Sequence, residues 1–534
     1  MNSESVRHTT NYIPSDEEIE DIKLDIVSRS EELVRLDERI RELSAKRDEI
    51  QAHIDSQKAL ISFPRRLPAD IVREIFVACL PTSRNAVMSV REAPLVLCRI
   101  CSAWRTIALS APTLWASLHV PFQFVMFKKP RILAVEQWLQ RSGACPISIS
   151  VSDMERWKWE WAGEGLPITE REALSDRLRA VDALTMSLCA VAHRWRYATF
   201  DTMSVEMAHA LTEIQSPLLE SFNFTGKSST FGQLKFVRVP SLRSVSLAID
   251  LDGSQLLDEF VLRLPLIWDQ LQHLTLTCGS GISMFTFITL LGRCPRLVSA
   301  HVTPIQGSVL HSESLIKSTL PFLTSISSSS YLEPRSLSDL ISHVFMPQLR
   351  QFNFPACAYD AQDNFYLATL GKRSPLVEDL PIYLPSLTPQ SLPETLQSFP
   401  SLTRLVVFDD DVAPWPGFDS GGCTLTHLLV ALSHIRTCPM LQEIVIYNCS
   451  DDHLTKSTLE VFFQQRMKSA HRLQRFEVSF AISIETHFLG LMSEPEIQSY
   501  LSQGLHISVL YQHTSWKSSD LPSPWTGLTS PDDV

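Results

Sequence analysis

One eight-residue pattern, P-x-[LV]-x-x-φ-x-φ with φ apolar, recurs along this chain and leaves few folds open to it. It reads Pro217-Leu218-Leu219-Glu220-Ser221-Phe222-Asn223-Phe224 and again Pro240-Ser241-Leu242-Arg243-Ser244-Val245-Ser246-Leu247. Later copies start at Pro295, Pro321, Pro347, Pro375, Pro400 and Pro439, the first five of them spaced 26, 26, 28 and 25 residues apart. Leu271 to Leu276 and Leu473 to Val478 repeat it without the proline, and Pro146 to Val151 reads as an irregular first strand. Apolar helical stretches, such as Phe285 to Leu291 and Leu459 to Met467, lie between copies. A strand-plus-helix unit this short closes no core alone and buries its apolar face only by stacking on neighbours. The expected fold is therefore α/β: a curved parallel sheet with outer helices over residues 121–511. The Pro321 copy ends in Ser328 instead of an apolar residue. After Pro400 the next copy comes 39 residues later, which marks 409–436 as an insertion and a first place to expect target-specific contacts.

Side chains of a strand alternate between faces, so the φ positions point into the core and their neighbours onto the concave sheet. That predicts a surface of His273, Ser299, His301, Gln351, Asn353, Arg404, Glu443, Arg475 and Glu477, with Ser221, Asn223, Ser244, Ser246 and Thr275 beside them. The early repeats offer small neutral groups and the last ones charges, so a charged partner is expected on the C-terminal half. The same residues also suit a solvated sheet that binds nothing.

Residues 1–14 are polar and unpatterned and are expected to be disordered. Ser15-Asp16-Glu17-Glu18 is a capping box, which predicts a helix over residues 15–62. In heptads its a positions are Ile19, Ile26, Leu33, Ile40, Arg47, Ile54 and Ile61, and its d positions Ile22, Arg29, Leu36, Leu43, Ile50 and Gln57. Charged residues fill the positions between, and no Gly or Pro interrupts the run before Pro64. Self-association through residues 15–62 or docking on a partner would bury the stripe; a helix that folds back on its own protein or tethers it is the alternative.

Beyond Pro64 the pattern changes to short helices over residues 63–120. In Leu67-Pro68-Ala69-Asp70-Ile71-Val72-Arg73-Glu74-Ile75-Phe76-Val77-Ala78-Cys79-Leu80, Ile71, Ile75 and Leu80 make one apolar stripe and Val72, Phe76 and Cys79 a second. The stretch Leu97 to Leu109 follows, with Trp104-Arg105 inside it, and then Pro112-Thr113-Leu114-Trp115. This combination resembles the F-box family, specifically the F-box-like proteins with an N-terminal heptad helix that are numerous in mushroom-forming fungi. The resemblance implies a small helical module that binds the Skp-type adaptor of SCF (Skp, cullin, F-box) ubiquitin ligases and through it the cullin core. Leu67, Pro68, Ile71, Ile75, Phe76 and Leu80 would then face the adaptor, with Leu97 and Trp104 closing that surface. The polar spacer from Pro81 to Glu92 is longer than in the compact F-box. The later copies likewise look like the leucine-rich repeats of F-box proteins, degenerate and without an asparagine ladder. Apart from the resemblance, the same residues read as a helical cap for the repeats, which terminal repeats require.

Composition narrows the chemistry. A formal charge of −12 and a pI near 5.8 disfavour a nucleic-acid backbone or an anionic membrane as main partner, which points to a protein. No run of about 18 apolar residues could span a bilayer and no signal-peptide core opens the sequence, so the cytosol or nucleus is expected, with the 11 scattered cysteines reduced. Thr225-Gly226-Lys227-Ser228 has the end of a phosphate-binding loop, but Ser221 stands where its first glycine belongs. Cys98 and Cys101 have no second ligand pair at a usable distance and are expected to pack inside a helix. HExxH and GxSxG are absent, and the runs Asp409-Asp410-Asp411 and Asp451-Asp452 lack a calcium-loop pattern. No cofactor, metal or catalytic group is expected. Trp157-Lys158-Trp159-Glu160-Trp161 suits packing on the first repeats or an exposed anchor, and residues 512–534, rich in Ser and Pro, suit a disordered tail. The implied function is a substrate-recognition subunit of an SCF-type ubiquitin ligase, with the repeats binding an unknown protein substrate. A non-catalytic scaffold that oligomerises through the N-terminal helix is the alternative.

Overall fold

The structure is a computed structural model. It describes residues 13–121, 129–152, 183–184, 186–200, 209, 214–227, 238–250, 257–306, 316–328, 332, 334–354, 365–409, 423–449, 456–480 and 494–511. Residues 1–12, the tryptophan cluster at 157–161, the Asp451-Asp452 run and the tail 512–534 lie outside that set. The chain divides into two compact units, Met1–Ile75 and Phe76–Val534.

The first unit is mostly helix α1 (Asp16–Leu60), which starts at the capping box. Ser15 Oγ accepts the Glu18 N–H at 3.4 Å, and Glu18 Oε2 accepts the Ser15 N–H at 2.9 Å. Asp16, Glu17 and Glu18 sit in the first turn, at the positive end of the helix dipole. None of its residues is buried. Ion pairs along it, including Lys23–Glu20 at 2.8 Å and Arg29–Asp25 at 2.7 Å, contribute about 0.2–0.5 kcal/mol each. Helix α2 (Phe63–Arg66) and helix α3 (Ala69–Ala78) follow, and the division between the units falls within α3.

The second unit is an α/β solenoid of leucine-rich-repeat type. Its strands are β1 (Ser117–Pro121), β2 (Ile147–Ser152), β3 (Trp195–Phe200), β4 (Ser221–Lys227), β5 (Ser244–Asp250), β6 (His273–Ser283), β7 (Ser299–Gln306) and β8 (Ser318–Thr319). The series continues with β9 (Ser325–Ser327), β10 (Val344–Phe345), β11 (Gln351–Asn353), β12 (Asp379–Tyr383), β13 (Arg404–Phe408), β14 (Glu443–Cys449), β15 (Arg475–Phe480) and β16 (His506–Tyr511). Fourteen of them form one parallel sheet in chain order, while β8 and β10 pair separately. Helix α4 (Ser102–Leu109) precedes the sheet. Among the helices between strands are α5 (Lys129–Arg141), α6 (Leu257–Leu262), α7 (Met284–Arg293), α8 (Pro334–His343), α9 (Phe365–Arg373), α10 (Ser391–Gln397), α11 (Leu425–Ser433), α12 (Lys456–Met467) and α13 (Pro495–Ser502).

The repeat pattern explains this order. Its [LV] positions stack as one column, in which Leu242, Leu271, Leu297, Leu323, Leu349 and Leu402 are all 0% exposed. The φ positions form two further columns in register: Phe222 pairs with Val245 and Val245 with Leu274. The prolines stand in turns ahead of the strands, where a missing N–H removes no ladder bond. At the start of each strand of that long sheet from β4 onward a backbone N–H donates to a carbonyl of the repeat before. Glu220 donates to Arg196, Arg243 to Glu220, Gln272 to Arg243, and the series runs on through Val298, Thr324, Arg350, Glu378, Thr403, Gln442 and Gln474 to His506. Thr324 and Thr403 add their hydroxyls to the same carbonyls, at 3.1 Å each. These backbone and hydroxyl donors satisfy the carbonyls of the turns that lead into the strands.

Several expectations shift. The sheet already begins at Ser117, so the Pro146 copy is its second strand, not its first. Helix α11 lies within 409–436 and buries Leu425, Leu428 and Leu429, so that stretch contains an ordinary outer helix of the repeat; residues 410–422 are outside the described set. Gly226 belongs to β4, and a Cβ there would lie 2.5 Å from Phe224 Cζ, so the glycine makes room for a core ring. Ser328 is buried at its core position and donates its N–H to Asn353 O at 2.9 Å. The 0%-exposed Arg466 of α12 donates to Cys438 O at 2.9 Å and Thr437 O at 2.6 Å, holding the turn where Cys438 has φ +47°.

Because every copy rests on the next, one vacancy in the leucine column is felt by its neighbours. Leu349→Ala is expected to cost about 3 kcal/mol, read as a lowered urea midpoint, with faster amide exchange at β9, β11 and β12 than elsewhere in the sheet.

Candidate protein-binding surfaces

The two adjacent apolar stripes of helix α3 differ in exposure. Val72 and Phe76, one turn apart, are 1% and 0% exposed, while Ile71 and Ile75 are 45% and 39% exposed. Leu67 is half-buried and Pro68 exposed just before it. In the second unit, Phe76 meets the half-buried Trp104 edge-on at a centroid distance of 5.0 Å. Leu97, in the short turn Leu97–Arg99, is 4% exposed, and Leu80 is half-buried. Phe76 and Leu97 are therefore interior groups, a correction to the expectation that both face a partner. Of the two stripes of this short amphipathic helix, the one of Val72 and Phe76 is buried and the one of Ile71 and Ile75 is exposed.

The expected helix from Leu97 to Leu109 is broken at Cys101. That residue is exposed and caps α4, its sulfur accepting the Trp104 N–H at 3.4 Å. Cys98 is half-buried, and burial raises its thiol pKa. The two cysteines do not share a helix interior. Among the described residues no group of three or more His, Cys, Asp or Glu could hold a metal, and no helix is long and apolar enough to cross a membrane. Trp115 is wholly buried, donating Nε1–H to Ala108 O at 2.9 Å and meeting Trp138 of α5 edge-on at 4.8 Å. The stretch that ends in Trp115 is thereby fused to the first repeat.

The spacer after Leu80 covers the free edge of the sheet. Val87 bridges to His119 of β1, and His119 N donates to Ala86 O at 2.7 Å. Asn85 reaches over the first two strands: its Oδ1 accepts the hydroxyls of Ser117 at 2.9 Å and Ser148 at 2.6 Å, and its Nδ2 donates to Ser150 at 2.9 Å. Arg84 and Glu92 close the segment as an ion pair, and Glu92 Oε1 accepts the Val87 N–H at 3.1 Å. A sheet edge left open would be a template for pairing with other chains.

The surface positions expected from the repeat fall into two rows across one face of the sheet. Strand pairing aligns Tyr197, Ser221, Ser244, His273, Ser299, Ser325, Gln351, Asp379, Arg404, Glu443, Arg475 and His506 in the first row. The second row runs through Thr199, Asn223, Ser246, Thr275, His301, Ser327 and Asn353, and beyond it through Pro381, Val406, Val445 and Glu477. All nine expected positions lie in these rows, but their environments differ. From β4 to β11 the rows are neutral hydroxyl, amide and imidazole groups at least partly exposed to solvent.

No protein-family model matches the chain, and no curated protein matches it. Among solved structures the chain is similar to the crystal structure of the Rad7 and Elc1 complex in yeast, with a TM-score of 0.34 and 13% identity over 71% of this chain and 98% of the matched one. It is also similar to a protein from Bacteroides fragilis, with a TM-score of 0.29 and 13% identity over 64% of this chain and 82% of the other.

At the C-terminal strands the charges pair with one another. Arg404 stands between Asp379 at 3.0 Å and Glu443 at 3.5 Å, and Arg475 pairs with Glu477, which is 8% exposed. Val406 and Val445 in the second row are 9% and 3% exposed. The expected charged positions of the C-terminal half are thus members of ion pairs, in which the side chains of Arg404 and Arg475 remain partly exposed. Asp379 and the half-exposed stacked pair Phe408–Tyr447, with centroids 5.4 Å apart, belong to this end and were not among the expected positions. The repeat frame counted from Pro375 would have found Asp379.

Histidines recur in one arrangement, each Nδ1 2.8 Å from a serine hydroxyl on the next strand: His119 with Ser150, His273 with Ser299 and His301 with Ser327. Burial lowers the pKa of His301. At the covered edge, burial above all and then the Arg84 charge hold His119 down at about 4, against a smaller opposing effect of Glu92. Folded, His119 stays neutral to about pH 4; unfolded, it takes a proton near 6.5. Stability present above pH 6.5 is therefore lost as pH falls toward 4, by up to about 3 kcal/mol. His119→Gln is expected to flatten the urea midpoint between those pH values relative to the unaltered chain.

Proposed function

We propose that this chain is a non-catalytic receptor in which helix α3 docks on a Skp-type adaptor of an SCF-type ubiquitin ligase and the open sheet face holds a target protein. One observation carries the adaptor half: Ile71 and Ile75 stand exposed on α3 just after Leu67-Pro68, in a run whose residues resemble the F-box. Burying an isoleucine that water now covers is worth about 1–2 kcal/mol. Leu67, Pro68, Ile71 and Ile75 are the proposed contacts. Phe76, Leu97 and Trp104 support the second unit from within.

For the target, the proposed surface is β4 to β11, including His273, Ser299, His301, Gln351 and Asn353. Its groups are neutral donors and acceptors, so recognition there rests on hydrogen bonds and shape, and binding should depend little on salt. Arg404, Glu443, Arg475 and Glu477 serve to order the sheet's C-terminal end. The receptor's contribution to ubiquitin transfer is proximity, which raises the effective concentration of the target beside the loaded enzyme. Such a protein works in the cytoplasm or the nucleus.

A scaffold without ligase activity is the second reading. It is favoured by the way residues 84–92 and Trp115 serve as the edge cover of the solenoid, a task that needs no adaptor. Binding of a purified Skp-type adaptor to the full chain, followed by calorimetry, separates the two. The receptor reading expects a one-to-one complex that Ile71→Asp with Ile75→Asp weakens by about 2 kcal/mol or more, a factor of roughly thirty. Absence of binding, or binding indifferent to that double change, leaves the scaffold.

A further inference from the structure

Helix α1 runs for 45 residues, about 67 Å, and buries none of them. The apolar groups at its heptad positions stand in solvent, with Ile26 57%, Leu33 62%, Leu36 55% and Ile40 61% exposed. A helix this long, with an isoleucine-rich seam and no tertiary support, is stabilised by a partner helix. We propose that the partner is α1 of a second copy of this chain, lying antiparallel at full overlap.

Register and charge set the partner and its direction. At full antiparallel overlap most of the seam matches itself: Ile22 meets Ile54 of the second copy, Ile26 meets Ile50, Leu33 meets Leu43 and Leu36 meets Ile40, while Ile19 meets Gln57. Arg29 meets Arg47, whereas in a parallel pair each would meet its own counterpart, so the arginine layers do not distinguish the directions. Charge does. Residues 16–38 carry ten acidic side chains and three basic ones, and residues 39–60 carry four acidic and five basic. A parallel pair would set the two acidic halves side by side; the antiparallel pair sets each against the slightly basic half. Beside the seam the antiparallel pair sets Glu32 next to Lys46 and Asp16 next to Lys58, each twice, against one meeting each of Asp37 and Arg39 with their own counterparts, while a parallel pair sets Glu18 beside Lys23 and Glu32 beside Asp37 equally often. The two copies leave opposite ends of the pair, roughly 67 Å apart. This pairing does not depend on adaptor binding.

Sedimentation equilibrium of the full chain should show a concentration-dependent dimer. Glu32→Lys should raise its dissociation constant about five- to tenfold, because two attractive pairs become repulsive, and adding Lys46→Glu should restore it. In a parallel pair the same first change would tighten the dimer by bringing Lys to Asp37. All of α1 is solvent-facing, so these variants keep their fold, which circular dichroism checks. Carbodiimide treatment of mixed isotope-labelled and unlabelled chains should join Glu32 of one copy to Lys46 of the other, a pair about 21 Å apart along a single helix. A chain that stays monomeric, a dimer indifferent to Glu32→Lys, or one tightened by it would overturn the proposal.

Discussion

Each strand of the long sheet from β4 onward is held at its start by a carbonyl of the repeat before it, in a backbone series that runs from Arg196 to His506. The rest of the second unit depends on this series. It fixes the register, and the register stacks the [LV] leucines into one dry column and the φ residues into two more. The donors of this series are main-chain N–H groups, with hydroxyls such as those of Thr324 and Thr403 added, so the series does not depend on which side chains the repeat carries. A degenerate sequence therefore still builds a regular sheet.

A parallel sheet of this length has two ends, and the first is covered in an unusual way. Residues 84–92 lie along β1, with Asn85 bonded to three serines of β1 and β2. The cover encloses His119, so the same contacts that protect the edge make it sensitive to acid. Toward the other end, the pairing of Arg404 with Asp379 and Glu443 closes the charged row on itself. What remains open is the neutral middle of the face.

Much of this was legible in the sequence, for reasons particular residues make clear. The prolines, the [LV] positions and the φ pairs recur because each obeys the same local constraint, and α1 announces itself by Ser15 and Glu18. The edge cover was not legible: Asn85 and its serine partners are 32 to 65 residues apart, and nothing in their identity marks them as partners. Nor could pattern alone decide which stripe of α3 is buried, since Ile71-Val72 and Ile75-Phe76 offer equal candidates at every turn. Only the packing of Phe76 on Trp104 settles that. Strand alternation puts 404, 443, 475 and 477 on one face, but the pairing of Arg404 with Asp379 and Glu443 follows from strand register, which spacing in sequence does not supply.

In the proposed receptor, partners bind at two separate places, the exposed stripe of α3 and the open middle of the sheet. Hydrogen–deuterium exchange of the full chain, with and without a purified Skp-type adaptor, tests that division most directly. Slower exchange confined to residues 67–80, with β4 to β11 unchanged, is the predicted result. Protection on the sheet, or no change along α3, would contradict it.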